Sequence, residues 1–479
     1  MDTTRNRILT VIALFVLPIL LRVVFFYQFP YWNPGIQTPD YASYHVAEPP
    51  TPSSKAEPAA GVAAGKIILI DNAHGNQFQP DELEPFVTAL GARGARVEFD
   101  KSDKPLQSRL KYASAYIIFS PSQVFTGDEI LQVQQFVANG GRLLVFTDPT
   151  HSLIQYDSLG NATVFPDPNY ANPLIAAYGL SFINDYLYDL KKNEGNFRNV
   201  EFTGFAGSPL TQDLKMVVFY GAHTALAQGG VALVTGGADV LSSLTDQGGR
   251  LSPLVLSANG QVLAAGDFTF LTNPYNQVAD NELLLSHIAD FAVSAQRTPV
   301  LANFPFVFQH AVSLISTGNV GLSSNLLAPI AVLQQSLRAV NISLKLGAAP
   351  SNDTDNIILG AFTPGADLRP YLEPFNISLD DPRSIDLPGF GRISKTGNGL
   401  LLFDHGPKTN TLILLAGTSS DLAALIKLVA SGDLSGCVVQ GSTGVCSLST
   451  GSGSSGNTSS FSGFYDSSTP TPTPTPVGP

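Results

Sequence analysis

A long apolar run near the start of the chain predicts a membrane-spanning helix. Residues 8–32 are apolar except for Thr10, Arg22 and Gln28. At 1.5 Å per residue, a helix of this length exceeds the roughly 30 Å hydrocarbon core of a bilayer. We therefore predict a transmembrane anchor over 8–32, preceded by a cytoplasmic tail over 1–7.

The residues that flank this run predict its orientation. Arg5 and Arg7 precede it, and Tyr31 and Trp32 close it. Basic residues favour the cytoplasmic side, while Tyr and Trp favour the membrane interface. We expect a single-pass protein of the cell membrane with a cytoplasmic amino terminus and an extracytoplasmic bulk. The alternative is a cleaved signal peptide with its apolar core at 8–21, but bulky residues follow where cleavage requires small ones.

Beyond residue 65, short β-branched runs alternate with stretches of helical spacing. These patterns predict strands at 66–70, 95–99, 115–119, 142–146, 214–219, 231–234 and 261–265, and helices at 80–90, 127–138 and 280–292. Alternating strands and amphipathic helices predict βαβ units, right-handed crossovers and a mostly parallel sheet. We assign residues 66–295 to one α/β domain.

A second, smaller α/β domain is predicted over 297–446. Its patterns predict helices at 327–340 and 420–430 and strands at 342–346, 356–359, 399–403 and 411–415. The segments outside the two domains have compositions that disfavour a packed core. Residues 33–65 form a Pro-rich spacer, and residues 447–479 form a Gly/Ser/Thr/Pro-rich tail that we expect to be disordered.

The charge balance excludes one large class of partners. The chain has 26 Lys and Arg against 38 Asp and Glu, a net charge of −12. A protein that neutralises phosphates needs the opposite sign, so we expect no nucleic-acid partner. Because the part outside the anchor is also acidic, docking on anionic lipid is disfavoured.

The two cysteines agree with an extracytoplasmic location. Cys437 and Cys446 lie nine residues apart in a Gly/Ser-rich stretch, a spacing that a disulfide can close. A metal pair is the less favoured alternative, because there is no Cys-x-x-Cys motif and no nearby histidine.

Acidic residues and histidines follow several predicted strands. Asp71 and His74 follow the first strand, Asp148 and His151 follow the fourth, and Asp267 follows the strand at 261–265. The carboxyl ends of parallel strands share one edge, so these five side chains form a candidate cleft. A carboxylate and an imidazole can bind a divalent metal or act as base and orienter. The alternative is that the aspartates cap turns and accept hydrogen bonds from loop amides.

Familiar catalytic motifs are absent from the sequence. There is no Walker lysine motif, no Gly-x-Gly-x-x-Gly and no His-Glu-x-x-His. Ser120 and Ser122 flank Pro121, but the Gly-x-Ser-x-Gly pattern of a nucleophile elbow is missing. We therefore assign no catalytic residue, no metal ligand and no cofactor.

Several segments, in order, resemble one known kind of domain. They are 70–76 (IDNAHGN), 136–144 (FVANGGRLL), 178–182 (YGLSF), 266–271 (GDFTFL) and 280–281 (DN). Together they resemble a domain of membrane-anchored prokaryotic proteins of unknown function. That domain is similar to gliding-motility ABC-transporter auxiliary proteins and, more distantly, to class I glutamine amidotransferase-like domains.

This resemblance implies a flavodoxin-like parallel sheet with helices on both faces. It also implies a nucleophile elbow after the fourth strand, where Thr147 and Asp148 stand in this chain. Since no cysteine precedes Cys437, the chain lacks the thiol that glutamine hydrolysis requires. It is therefore not a Cys-dependent amidotransferase.

Three functions are compatible with these patterns. We expect a membrane-anchored binding or scaffolding protein of the cell envelope without catalytic activity, whose partner is an envelope protein, a peptide or a glycan. One alternative is a metal-assisted hydrolase at the edge of the first sheet, which requires the five Asp and His side chains to converge. The other is an accessory subunit of an ABC-type transport system.

Overall fold

The structure is a computed structural model that describes residues 2–27, 63–101, 104–317, 320, 323–363, 368–432, 434 and 436–448. Helix α1, Asp2–Tyr27, is long and apolar enough to cross a membrane, with a mean hydropathy of 2.8 over Thr3–Phe25 and none of that stretch buried. The end of the predicted anchor at 28–32, most of the predicted spacer and almost all of the predicted tail lie outside the described residues.

The first α/β unit follows α1 and the spacer. Its strands are β1 (Ile67–Ile70), β2 (Arg96–Phe99), β3 (Ala113–Phe119), β4 (Arg142–Phe146), β5 (Leu153–Tyr156), β6 (Ala162–Phe165), β7 (Leu180–Phe182), β8 (Leu187–Tyr188), β9 (Asn199–Phe202), β10 (Gly204–Phe205), β11 (Val217–Tyr220), β12 (Ala225–Ala227), β13 (Val231–Thr235), β14 (Leu241–Ser242), β15 (Leu254–Leu256) and β16 (Val262–Ala265). Its helices are α2 (Glu84–Ala92), α3 (Leu106–Leu110), α4 (Gly127–Ala138), α5 (Pro168–Ile175) and α6 (Asn281–Val293).

Eight of these strands form the main sheet, in the order β10-β13-β15-β16-β4-β3-β1-β2. Neighbours from β2 to β16 pair in parallel, whereas β15, β13 and β10 extend the sheet with antiparallel pairings. The predicted α/β class is confirmed; five strands pair in parallel, and three antiparallel strands at one side make the sheet mixed. The segment between β4 and β16, residues 149–261, supplies the antiparallel edge and is called the excursion below.

Alternate residues of the parallel strands pack on opposite faces of the main sheet, as strand geometry requires. Ile68, Ile117 and Leu144 belong to the core that includes α2 and α6, while Tyr116 and Leu143 belong to the core that includes α3, α4 and α5. Helices therefore cover both faces of the main sheet. The loops lie at the two ends of the strands.

The second unit has nine strands, of which seven form one sheet. Its strands are β17 (Val312–Ser316), β18 (Leu344–Leu346), β19 (Asp355–Ala361), β20 (Ser384–Leu387), β21 (Gly391–Ser394), β22 (Asn398–His405), β23 (Asn410–Ala416), β24 (Cys437–Gln440) and β25 (Thr443–Ser447), and its helices are α7 (Ser324–Ala339), α8 (Arg369–Leu372) and α9 (Ser419–Ser431). The strand order is β18-β17-β19-β23-β22-β25-β24, while β20 and β21 form a separate hairpin. Cys437 and Cys446 face each other across β24 and β25 and are joined by a disulfide.

Candidate functional site

The five predicted residues reach the carboxyl edge of the main sheet in two separate sets. Asp71 and His74 follow β1, whereas Asp148 and His151 follow β4 and Asp267 follows β16. Strand β3 lies between β1 and β4. Within the described residues, no hydrogen bond or ion pair joins one set to the other.

In the first set, an imidazole lies between two carboxylates. His74 Nδ1 is 2.9 and 3.0 Å from the two carboxylate oxygens of buried Asp71. On the other side of the ring, Nε2 is 3.5 Å from Glu129 Oε1. The ring also stacks on Phe125, with 3.7 Å between centroids. Together these contacts fix the position of His74.

The neighbouring carboxylates control the ionisation of this set. Burial disfavours the imidazolium form of His74, but Asp71 and Glu129 outweigh burial and raise its pKa. The pKa of Glu129 is lowered, because hydrogen bonds from Thr126 and the charge of His74 outweigh burial. Burial and the nearby Asp71 carboxylate raise the pKa of Tyr116 well above its usual value. These surroundings therefore favour the charged form of the His74 imidazole and the neutral form of the Tyr116 phenol.

Backbone hydrogen bonds connect the loop after β1 to the loop after β3. The backbone N–H groups of Ser122 and Gln123 donate to the carbonyl of His74 at 3.1 and 3.0 Å. Gly75 has a φ of +62°, and a Cβ there would lie 2.5 Å from Ser122 Oγ. Glycine suits this left-handed turn, and a side chain there would also displace the side chains of Ser122 and Gln123.

A cleft of 510 Å³ opens beside this first set. It is lined by Ala73, His74, Lys104, Pro105, Leu106, Arg109, Gln123, Val124 and Glu129, and we call it the β1–β3 cleft. Strand β2 is added on one side of β1 and β3 on the other, so the order of strand addition reverses between β1 and β3, which makes this the topological switch point of the parallel strands. Open α/β sheets place ligands at such a point.

Arg109 is a buried cationic residue that lines the β1–β3 cleft. Its side chain is almost fully buried and forms an ion pair with Asp100. Its Nε has no hydrogen-bond acceptor within the described part of the chain. Sequence reasoning missed Arg109 and Glu129, although the Thr126-x-x-Glu129 capping box that begins α4 marks Glu129 in the sequence.

The second set is a closed network of hydrogen bonds. Oδ1 of Asp148 accepts from the backbone and side chain of Thr150 at 2.8 and 2.6 Å. Oδ2 accepts from the backbone and side chain of Thr269 at 3.2 and 2.8 Å. Asp267 accepts from the backbone N–H groups of Tyr220 and Thr269, both at 2.7 Å. Both carboxyl groups are fully buried.

Asp148 and Asp267 also bond to each other, so they cannot both carry a charge at low cost. Burial opposes ionisation of Asp148, but His151 and the hydrogen bonds outweigh burial and lower its pKa to about 2. Burial and the Asp148 charge raise the pKa of Asp267 well above its usual value. The surroundings therefore favour the ionised form of Asp148 and the protonated form of Asp267.

Further buried residues connect this pair to the excursion. The backbone N–H of Asp148 donates to Asp167 Oδ2 at 2.7 Å, and Asp167 Oδ1 is 3.0 Å from His223 Nε2. His223 Nδ1 is 2.5 Å from the carbonyl of Asp185. Asp167, His223 and Asp185 belong to irregular segments, and no periodic pattern in the sequence marks them.

The excursion lies directly on the edge of the sheet near this network. A Cβ at Gly266 would be 2.0 Å from the carbonyl oxygen of His223. Glycine at this position therefore lets the excursion approach β16 closely. Through the bond of Asp148 to Asp167, the second set attaches the excursion to the edge of the sheet. This matches the alternative in which the aspartates hold turns.

His151 lies at the margin of the second set and is partly exposed. Its Nδ1 is 3.3 Å from Asp148 Oδ2, and its Nε2 is 3.6 Å from Glu82 Oε1. Burial lowers its pKa, but Asp148 and Glu82 outweigh burial and raise it. Among the described residues, no three His, Cys, Asp or Glu side chains are arranged to hold a metal ion.

The chain was compared with known families, curated proteins and solved structures. No family model and no curated protein matches it. The solved structure described as the mmIFT52 N-terminal domain is 13% identical, with a TM-score of 0.38 over 48% of this chain and 99% of that chain. Putative ThuA-like proteins from Bacteroides uniformis and Parabacteroides merdae are 14% and 12% identical; each match has a TM-score of 0.28 and covers 49% of this chain, with 94% and 93% of those chains. All three TM-scores are below 0.5, so these matches assign no family to the chain.

Proposed function

We propose that this chain is a membrane-anchored, extracytoplasmic binding protein without catalytic activity, and that its ligand occupies the β1–β3 cleft. Helix α1 is the proposed anchor, with Arg5 and Arg7 on the cytoplasmic side. The disulfide between Cys437 and Cys446 supports an oxidising compartment for the second unit.

One observation carries the choice of site. The carboxyl edge is closed over β4 and β16 by the excursion, but it remains open over β1 and β3. The open half has a cleft with buried polar groups, including an arginine Nε without an acceptor among the described residues. Buried donors without partners are costly, and a ligand that accepts a hydrogen bond removes that cost.

The lining of the β1–β3 cleft favours an uncharged or zwitterionic polar ligand. Glu129 supplies an anion, while His74, Arg109 and exposed Lys104 supply donors, and Gln123 can both donate and accept. Because buried Asp71 and Asp100 balance His74 and Arg109, the cleft has no strong excess of one charge. A glycan or a peptide, with many groups that both donate and accept, suits such a lining.

The strand order also supports the finer fold assignment made from the sequence. In chain order, the five parallel strands are arranged 2-1-3-4-5 from β2 to β16, the flavodoxin-like order. With Thr147 and Asp148 after the fourth strand and no free cysteine, an amidotransferase-like sheet without a nucleophile is proposed. A role beside a transporter stays a prediction from the resemblance alone.

Photo-crosslinking in native membranes tests the proposed site. A photoreactive amino acid at Val124, which is exposed at the opening of the cleft, should form one dominant adduct, and sensitivity of the adduct to protease or periodate would identify it as peptide or glycan. The matched control is the same amino acid at exposed Leu346 in the second unit. The same adduct pattern at both positions, or no adduct at Val124, would contradict the proposal.

A further inference from the structure

We propose that the hairpin of β5 and β6, residues 153–165, inserts its apolar face and tip into the surface of the membrane that anchors the chain. We call it the apolar hairpin. The proposal rests on the membrane anchoring proposed above, and it adds a second point of membrane contact that lies far from α1 in the sequence.

The apolar hairpin projects from the body of the first unit. Strands β5 and β6 pair only with each other, and they join neither the main sheet nor another described strand. Every residue from 154 to 164 is exposed. A two-stranded ribbon without a packed face has little stability of its own, so an exposed one of this kind suggests a contact that the isolated chain lacks.

The register of the hairpin puts its exposed apolar side chains on one face, while the half-buried pair Leu153 and Phe165 lies at its base on the other face. Ile154 pairs with Val164, and Tyr156 pairs with Ala162, two residues along the same strands. Side chains two residues apart share a face, so these four lie together, while Gln155 and Thr163 pair on the opposite face. Ile154, Val164 and Tyr156 are 48%, 53% and 70% exposed.

The turn at the tip of the hairpin carries a further exposed apolar side chain. Leu159, in the turn, is 85% exposed. The single charged residue of the hairpin is Asp157, and its carboxylate accepts hydrogen bonds within the turn from the backbone N–H groups of Leu159 and Asn161, both at 2.8 Å. The hairpin therefore offers apolar surface and an interfacial tyrosine, but no cation that would select an anionic partner.

The size of the apolar face favours a bilayer over a second copy of the chain. Four apolar side chains cover on the order of a few hundred Å². A stable protein interface buries roughly 1,200 Å² or more. Membrane contact needs less area when the protein is already tethered, because the tether raises the effective concentration of the bilayer.

The length of the tether permits this contact. Helix α1 ends at Tyr27, and the described body begins at Ala63. The residues between them can span at most about 120 Å when fully extended. The tether joins the first unit at the amino end of β1, and the hairpin projects from the opposite, carboxyl end of the strands. The tether is long enough for the hairpin to reach the membrane despite this separation.

Site-specific fluorescence in vesicles tests the proposal on the full-length chain. Both native cysteines are in the disulfide, so a Leu159→Cys variant has one reactive thiol for an environment-sensitive dye. After reconstitution in phosphatidylcholine vesicles, a dye at position 159 should be quenched by a lipid-borne quencher and protected from a water-soluble one. Matched controls carry the dye at Leu14→Cys, in α1, and at Leu244→Cys, which is 65% exposed and outside the hairpin.

The controls separate failure of the hairpin from failure of the anchor. Lipid quenching at positions 14 and 159, but not at 244, supports the proposal; adding Ile154→Ser and Tyr156→Ser should then reduce quenching at 159 to the level at 244. Lipid quenching at 14 with water exposure at 159 overturns the hairpin proposal and leaves the anchor intact. Water exposure at both positions overturns both. Concentration-dependent protection at 159 from both quenchers indicates self-association and also overturns the proposal.

Discussion

The surroundings of Asp148 and Asp267 shift the pKa values of these two buried carboxyl groups in opposite directions. Asp148 is an anion that accepts from three donor groups of Thr150 and Thr269 at 2.8 Å or less. The raised pKa of Asp267 favours its protonated form, which can donate to Asp148 while still accepting from Tyr220. The two positions should therefore respond differently to an uncharged amide.

The Asp148→Asn variant should be much less stable than Asp267→Asn. An amide at 148 loses the negative charge and presents an N–H to neighbouring donors, with an expected loss of about 3 kcal/mol in the free energy of unfolding. An amide at 267 can donate as the carboxylic acid does, and the Thr269 N–H keeps Asp148 as its second acceptor, so a loss below about 1 kcal/mol is expected. Denaturant unfolding measures both. Equal losses would show that Asp267 is not the protonated partner.

His74 should make stability depend on pH. Its folded pKa is raised, so its contribution is fully present below the ordinary pKa of histidine and is lost as pH rises through the folded pKa. The stability difference between the wild type and His74→Gln should therefore decrease from mildly acidic to alkaline pH. Glu129→Gln should shift this decrease to lower pH, because one of the two carboxylates that raise the pKa is gone. A difference that grows with pH would contradict the assignment.

At the residue scale, the sequence predicted the side chains at the edge but not their grouping. An Asp or His that follows a predicted strand can be recognised from the sequence, and all five residues reach the carboxyl edge. Whether Asp71 meets Asp148 depends on strand order, which places β3 between them. Asp167 and His223 contribute through loops that lack any periodic pattern, so no local rule identifies them.

At the element scale, the first turn of α4 links helix stability to the β1–β3 cleft. Thr126 caps the helix by accepting from the Glu129 N–H, and the Glu129 side chain bonds back to Thr126. The same carboxylate faces His74. The capping box therefore positions a residue of the candidate site as well as beginning the helix.

Removing two equivalent caps separates these effects. Thr126→Ala and Thr418→Ala, at the start of α9, should each cost about 1 kcal/mol of stability, because each removes a side-chain acceptor for a backbone N–H of the first turn. Only Thr126→Ala should lower the pKa of His74, since Glu129 loses the Thr126 hydroxyl, one of the two groups that orient its carboxylate. NMR titration of His74 measures this shift. An unchanged pKa would show that the cap does not position Glu129.

Long periodic elements were predictable, and short or exposed ones were not. The five parallel strands all begin or end within two residues of the predicted bounds. Helix α2 begins at Glu84 rather than at residue 80, because the chain from Pro80 to Leu83 forms turns. The apolar hairpin was missed because none of its strands has a buried face, and alternation is a signal of one-sided burial.

At the scale of the whole molecule, Arg297 connects the two units. Its Nη1 donates to the carbonyls of Leu110 and Ala113 at 3.0 and 2.7 Å, and its guanidinium lies 4.6 Å from the Phe136 ring. Burial lowers its pKa to about 10, so it remains a cation at neutral pH. Such a contact depends on the path of the segment that joins the two sheets, which sequence patterns within each sheet do not contain.

Arg297→Met should weaken the coupling between the units. The variant loses both carbonyl contacts, so calorimetry should resolve a single unfolding transition into two, or move two existing transitions further apart. Arg392→Met is the matched control, because Arg392 forms an exposed ion pair with Asp386, a type of contact worth little. Identical calorimetric profiles for the two variants would show that Arg297 does not couple the units.

Hydrogen–deuterium exchange of the full-length protein, with and without a membrane extract of its host, tests most directly whether the ligand binds the open part of the carboxyl edge and not the part closed by the excursion. Binding in the β1–β3 cleft predicts slower exchange in the segments 71–76, 104–109 and 123–129, with no change at 148–151 and 267–269. Slower exchange confined to the latter two segments, or no change in any of the five, would contradict the assignment of the ligand site.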